Sequence, residues 1–363
     1  MVLVTGATGI LGRVIVLELL KNGRKVRACK RKSSDLEEVK RSLNYYTGNA
    51  EILFDKVEWV DICLHDQKSL QLALQGVEEV YHCAAKVSYD PHDREMVNCV
   101  NVEGTQNLLE CCKNSGISKF LYVSSAVIFK KERIDKPVDE HSPLINGTNN
   151  TIYAVSKYKA DAAVCKAFYE GLNTIIINPG MIIGSGNWNK SSGKFLQTFI
   201  RSFYTFSGQT GCVDVRDVAS IATALMDKNV FGERFLIASE NINYKELSDI
   251  IAGKLHTIKP FVLPKIFLNM GKFLNILSGG LVPKLRMLTT PNIEFLTSSQ
   301  NISNNKVAAL LKYHFIPVRE SLLFHIDNFL SEKNSSAIKW SQSVFFTHTL
   351  TEPGFTVNTA FPF

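Results

Sequence analysis

A tyrosine and a lysine four residues apart, in Tyr153-Ala154-Val155-Ser156-Lys157, are the residues of this chain whose types and spacing point most directly to chemistry. Upstream, Ser125 closes the apolar run Phe120-Leu121-Tyr122-Val123-Ser124-Ser125. On a helix, side chains at i and i+4 share a face, so the phenol and the ammonium point into the same space. A phenol ionises at about 10 when unperturbed. A cation within a few ångströms, helped by an oxidised nicotinamide ring, favours the phenolate and brings that proton nearer to working pH. Ser125 is placed to hydrogen-bond a substrate oxygen as charge shifts onto it, and Lys157 to hold the nicotinamide ribose. Hydride transfer needs this set, because the alcohol proton must leave as hydride departs from the same carbon. Taken alone, Tyr-x-x-x-Lys is also an ordinary helix surface pair; its place after a Ser-Ser strand end and an N-terminal glycine turn makes it specific.

That turn lies in Val2-Leu3-Val4-Thr5-Gly6-Ala7-Thr8-Gly9-Ile10-Leu11-Gly12 and is followed by an apolar run at helical spacing. The pattern reads as strand, tight turn and helix, the physics of a dinucleotide pyrophosphate site. Gly6 permits the turn, Gly9 lets the backbone approach the phosphates, and Gly12 lets the helix pack on the strand. The phosphates then sit on free N–H groups where Ile10 and Leu11 open the helix. Thr5, Gly6, Thr8, Gly9, Ile10, Leu11 and Gly12 form the expected cofactor-binding set. Ala84 and Ala85, small residues after Val80-Tyr81-His82, let the cofactor lie against a second strand end. A carboxylate commonly closes the second strand and bonds the ribose 2′-hydroxyl. Here Lys30-Arg31-Lys32 stand instead, which favours NADP(H), with NAD the alternative and a solvated basic turn the bland reading.

Helices alternating with buried β-rich runs predict an α/β fold, a doubly wound parallel sheet of Rossmann type covered on both faces. Expected strands cover residues 2–5, 25–29, 57–61, 77–85, 120–125 and 174–180, with helices over 97–115 and 153–169 among others. The expected organisation is a dinucleotide-binding domain over 1–180, completed by about 213–238. A smaller C-terminal substrate-binding region over 181–212 and 239–330 follows, then a tail over 331–363 that is poorly ordered or packs on a surface or partner.

With 363 residues, 45% of them hydrophobic, there is material for one large or two modest domains. The net charge of +7 is scattered, which argues against a nucleic-acid partner. The eight cysteines mostly fall inside apolar patterns. Without a Cys-x-x-Cys pair or a His/Cys cluster, no metal is expected, and buried free thiols in a reducing compartment are the simpler reading. The first strand begins at Met1, leaving no room for a signal peptide, so a cytoplasmic protein is expected. His82, in an apolar strand, reads as a satisfied core residue rather than a ligand, while Lys86, Tyr89 and His92 read equally as lining a substrate mouth or as a solvated loop.

The motifs Thr5-Gly-x-x-Gly-x-x-Gly12, Tyr122-Val-Ser-Ser125, Tyr153-x-x-x-Lys157 and Asn178-Pro179-Gly180 resemble those of the extended short-chain dehydrogenases/reductases, the NAD-dependent epimerase/dehydratase family. The similarity is greatest to its dihydroflavonol-4-reductase-like and 3β-hydroxysteroid-dehydrogenase-like branch. It covers residues 1–240 firmly and 240–330 loosely. It implies a catalytic set of Ser125, Tyr153 and Lys157, with Asn101 as a fourth member supporting a proton relay. It places Pro179, Gly180 and Ile182 near the nicotinamide, Arg31 on a 2′-phosphate with Lys32 as helper, and Asp61 or Asp66 at the adenine. It further implies a homodimer through the helices around Asn101 and Tyr153. Ala126-Val127 replace the Asp-Glu pair that eliminates water in the sugar dehydratases, which argues against that chemistry.

Residues 261–277 are apolar with Lys265 and Lys272 interspersed, too charged to span a bilayer. An amphipathic lid over the substrate is preferred to a membrane-surface helix, and both favour an apolar or bulky substrate. The expected activity is therefore an NADP(H)-dependent oxidoreductase interconverting a carbonyl and a secondary alcohol on an apolar or mixed small molecule. The alternatives are a nucleotide-sugar epimerase with tightly bound NAD, a 3β-hydroxysteroid-type dehydrogenase, and a cofactor-sensing binding protein without turnover.

Overall fold

In the computed structural model, residues 1–130, 136–147, 149–188, 197–200 and 202–344 are described. Strands β1 (Val2–Thr5), β2 (Val26–Lys30), β3 (Glu58–Asp61), β4 (Glu79–His82), β5 (Lys119–Val123) and β6 (Thr174–Pro179) are followed by β7 (Met181–Ile183), β8 (Tyr204–Thr205), β9 (Gln209–Asp214), β10 (Arg234–Ile237), β11 (Glu240–Asn243) and β12 (Phe261–Val262). Seven of them form one sheet in the order β10-β6-β5-β4-β1-β2-β3, every neighbour parallel. Burial on both faces explains why these strands read as continuous apolar runs. Side-chain alternation divides them. Val2, Val4, Leu121 and Ile177 face the helices Ile10–Lys21 and Val215–Lys228, whereas Leu3, Val80, Phe120 and Ile176 face Gln67–Leu74, Gly104–Lys113 and Ile152–Tyr169. Strand order reverses between β1 and β4, and connections leaving in opposite directions open a crevice beyond the strand ends.

After β6 the chain builds a three-stranded sheet, β11-β9-β7, and a two-stranded one, β12-β8. A separate apolar cluster gathers Trp188, Phe206, Tyr244, Leu268, Ile293 and Phe329.

Three details of the structure bear on these expectations. The helix predicted over 97–115 is broken: Arg94–Asn98 is α-helical, Cys99–Glu103 is a π-turn, and Gly104–Lys113 resumes the α-helix. Side-chain bonds of Asn101, described below, hold the wider turn. Secondly, the segment from 331 opens within a helix. The helix Val318–Val344 runs through it, and the Glu332 carboxylate accepts hydrogen bonds of 2.6 Å from Tyr45 Oη and from Trp188 Nε1. The aperiodic composition concealed a helix secured through contacts far away in sequence; residues 345–363 and the polar run 189–196 lie outside the described residues. Thirdly, although the sequence shows no His/Cys cluster, folding gathers His65, Cys99 and Glu103 with candidate ligand atoms within 4.8 Å of one another. His65 Nε2 lies 3.0 Å from Cys99 Sγ, and Glu103 accepts from the Asn98 amide at 2.9 Å. These neighbours already account for the cluster, and we assign it no ion. All eight cysteines are free; Cys29, Cys111, Cys112 and Cys212 are buried and Cys63 is exposed.

Candidate active site

The glycine turn has the geometry its residues require. Gly6 sits at φ +65°, and a Cβ on Gly12 would come within 2.2 Å of the Gly6 carbonyl oxygen. A Cβ on Gly6 would lie 2.7 Å from Ala84 N, so the turn rests directly on the end of β4. Ala84 N donates to Thr5 Oγ1 at 3.3 Å, and Thr5 Oγ1 lies 2.6 Å from His82 Nδ1. His82 Nε2 lies 2.9 Å from Thr105 Oγ1. Fully buried and bonded on both ring nitrogens, His82 is a satisfied core residue, and desolvation lowers its pKa to about 3.

Gly9 caps the first helix without a side-chain bond, which leaves the N–H groups of Ile10 and Leu11 facing out of the helix end. Behind the turn lies a residue the sequence reading passed over. Arg13 is fully buried. It donates to the Thr8 and Gly9 carbonyls at 2.5 and 3.2 Å, to both Glu38 oxygens at 2.8 Å, and to Ser42 Oγ. Asn187 N donates to the same Glu38 at 2.7 Å. The one sequence signal was a cation set on an otherwise apolar helix face directly after the third glycine.

At the end of β2, Lys30 is paired with Asp61 at 2.6 Å, while Arg31 and Lys32 are exposed. Asp61 thus lies beside the basic run, engaged by it. Asp66 caps the helix Gln67–Leu74 through Lys68 N.

Ser125, Tyr153 and Lys157 are brought together by β5 and the helix Ile152–Tyr169, which Thr151 caps. Desolvation pushes the Tyr153 phenol up to about 12, against a lowering influence of the Ser125 side chain. Lys157 is also buried and is lowered by desolvation to about 8. Its ammonium donates to Val123 O at 2.7 Å and Tyr122 Oη at 3.3 Å, and stands 4.8 Å from the Tyr122 ring centroid. Desolvation is thus the dominant influence on Tyr153, while the Lys157 ammonium is engaged by the backbone carbonyl and the second tyrosine. Asn178 Nδ2 donates to Ser125 O at 3.3 Å, a tether the sequence reading did not specify.

Asn101 is buried in the π-turn. Lys86 N donates to its Oδ1 at 2.7 Å, and its Nδ2 donates to Lys86 O at 3.0 Å and Ser156 Oγ at 2.9 Å. It clamps the strand-end loop to the helix that carries Tyr153 and Lys157. From that loop, Tyr89 lies 6.0 Å from the Tyr153 ring and stacks on Phe295 at 5.5 Å. Lys86 pairs with Asp93, and His92 with Asp90. Pro179 is buried at the end of β6; Gly180 follows, packed so closely that a Cβ would meet Gly211 O at 2.2 Å, and Ile182 lies half-buried on β7.

The residues present fit a dinucleotide. The turn is a cradle that side chains would fill, and at the ends of β5 and β6 the buried Ser124 Oγ and Asn178 Oδ1 have no hydrogen-bond partner. The strand order and this cradle define a Rossmann dinucleotide-binding protein. The chain belongs to the NAD-dependent epimerase/dehydratase family, whose model matches residues 2–238. It is an NAD(P)-dependent enzyme of the extended short-chain dehydrogenase/reductase type. It is 34% identical to Sterol demethylase protein B of Methylococcus capsulatus, over 66% of this chain and 70% of that one. It is 30% identical to a Putative dihydroflavonol 4-reductase of Synechocystis, over 72% and 73%. Among solved structures, the UDP-glucose 4-epimerase of Thermus thermophilus in complex with NAD superposes with a TM-score of 0.70 over 90% of this chain and 98% of that one; at 20% identity this bears on the fold alone.

Proposed function

We propose that the protein is an NADP(H)-dependent oxidoreductase that interconverts a carbonyl and a secondary alcohol on an apolar or mixed small molecule. The observation that carries the reading is the convergence of Ser125, which acts on the Tyr153 phenol, and a buried Lys157 one helical turn on, beyond the sheet's carboxyl ends. Bound NADP(H) supplies or accepts the hydride at its nicotinamide. Ser125 hydrogen-bonds the substrate oxygen and orients it. Tyr153, neutral at working pH because it is desolvated, donates its proton to that oxygen in reduction and recovers it in oxidation. Lys157, held by Val123 O, places positive charge behind the phenol and reaches the nicotinamide ribose. Asn101 fixes the Lys86 loop and Ser156, and so the orientation of that helix.

Preference for NADP(H) rests on Arg31 and Lys32, exposed at the end of β2, and on the Lys30–Asp61 pair, which neutralises the nearby carboxylate. We read residues 181–212 and 239–330 as the substrate-binding region. Tyr89 and Phe295 against Tyr153 support an apolar substrate. A hydroxysteroid-type alcohol is the second reading, favoured by those rings and by the name of the Methylococcus relative.

Tyr153→Phe is expected to lower turnover by roughly 10²–10⁴-fold while binding of NADPH, followed by its fluorescence, is unchanged. Unaltered turnover overturns the reading. Purified protein already carrying NAD would instead favour an epimerase.

A further inference from the structure

We infer that residues 258–282 dock this protein peripherally on a bilayer bearing anionic lipid headgroups. Of the nineteen exposed large hydrophobic side chains among the described residues, twelve lie in this stretch. In the helix Lys265–Leu277, Leu268 and Gly271 turn inward, while Ile266, Phe267, Met270, Phe273, Leu274 and Leu277 follow helical spacing along the face left to solvent. Leu281, 85% exposed, and Ile258, 93% exposed, extend the patch at either end. An apolar patch of this extent marks an interaction surface.

Charge selects the occupant. Between Asp249 and Glu294 the chain has no carboxylate but six cations, Lys254, Lys259, Lys265, Lys272, Lys284 and Arg286. Lys254 and Arg286 are used in pairs with Asp327 and Asp90. Lys259 and Lys265 are exposed at the margin of the apolar face, and half-buried Lys272 donates to Thr290 Oγ1. Apolar side chains flanked by the exposed Lys259 and Lys265, in a run of sequence free of acids, are what an anionic headgroup layer over acyl chains complements. A second copy of this surface would instead bring like charges together. None of the described helices is long and apolar enough to cross a membrane, so the contact is with the surface. The preferred lid reading is thereby set aside, since the apolar face points to solvent rather than over Tyr153.

The patch is continuous with the site's rim. Arg286 pairs with Asp90 at 3.1 Å, and Asn292 Nδ2 donates to Tyr89 O at 2.8 Å. Docking stands apart from the reductase reading, since its test needs no turnover.

The test is flotation of the full chain with phosphatidylcholine vesicles, with and without phosphatidylglycerol, at low and high salt. The chain is expected to float with the anionic vesicles, less with the neutral ones, and to be partly released by salt. Phe267→Asp combined with Phe273→Asp is expected to abolish flotation while leaving the thermal midpoint and NADPH binding unchanged. Three outcomes overturn the proposal. The wild-type chain stays unbound; or the variant floats equally well; or size exclusion shows a dimer that the variant splits and neither form floats, which assigns the face to a second copy.

Discussion

Single residues carry the chemistry, and the two basic residues nearest the cofactor cradle do different work. Arg31 is solvent-facing, so its value lies in what it meets. Arg31→Ala with Lys32→Ala is expected to weaken NADPH binding roughly tenfold relative to NADH, read from paired fluorescence titrations; an unchanged ratio would remove the basis for NADP(H) preference. Arg13 is fully buried against a Glu38 side chain that is 21% exposed. Arg13→Met leaves that carboxylate short of its partner and releases the Thr8 and Gly9 carbonyls. The expected cost is about 3 kcal/mol of stability, measured by denaturant unfolding, together with weaker binding of either nucleotide. Of these two residues, Arg31 was legible from its place after a β-run. Arg13 was not, because the partners that bury its charge, Glu38 and Ser42, lie on another helix brought there only by folding.

Elements decide how such residues are held. The helix Val318–Val344 is tied to the rest of the molecule through Glu332, which accepts from both Tyr45 and Trp188. Glu332→Ala strands two largely buried donors and should cost about 1–3 kcal/mol. A change in thermal midpoint too small to resolve would show that water replaces the carboxylate. The π-turn at Cys99–Glu103 is the second such case. Apolar periodicity predicted a helix across 97–115, and one is present on either side, but periodicity cannot register one wide turn. Its cause is the Asn101 amide reaching Lys86 and Ser156, fifteen and fifty-five residues away.

At the scale of the whole molecule, buried polar networks join the β-sheets to the C-terminal helix. Ser185 Oγ lies 2.6 Å from His325 Nδ1, His325 Nε2 lies 3.2 Å from Asp214 Oδ2, and Ser321 donates to the same carboxylate at 2.7 Å. Arg216 pairs with Asp214 as well, and these donors hold the carboxyl below its ordinary range despite burial. His325 and His82 are both kept neutral by desolvation. Their pKa values are lower folded than unfolded, so as pH falls below 6.5 the unfolded chain takes up protons that the folded chain refuses. Stability is complete above that pH and is lost on acidification. For His82 the slope reaches about 1.4 kcal/mol per pH unit and the loss extends to about pH 3; His325 adds to it in the same direction. Urea midpoints measured from pH 7 downward should fall along this line, and His82→Gln should make the slope shallower; a flat profile would show that these histidines titrate freely in the folded protein.

The sequence by itself determined the parallel sheet and the glycine cradle, and it supplied the serine, tyrosine and lysine of the proposed chemistry. Those signals are local: β-rich runs bounded by turns, three glycines at a fixed interval, and two side chains one helical turn apart. Only the tertiary structure decided what each of these groups touches. Lys157 was placed by its helix, yet its ammonium bonds Val123 O and Tyr122 Oη, thirty-four and thirty-five residues earlier on a strand. Likewise, the apolar run at 261–277 was evident as composition, but which face is buried depends on what packs against it. Leu268 and Gly271 found neighbours, and the opposite face found none among the described residues. Spacing fixes which residues share an element, whereas burial and partnership depend on which elements meet, and that follows from packing of the whole chain.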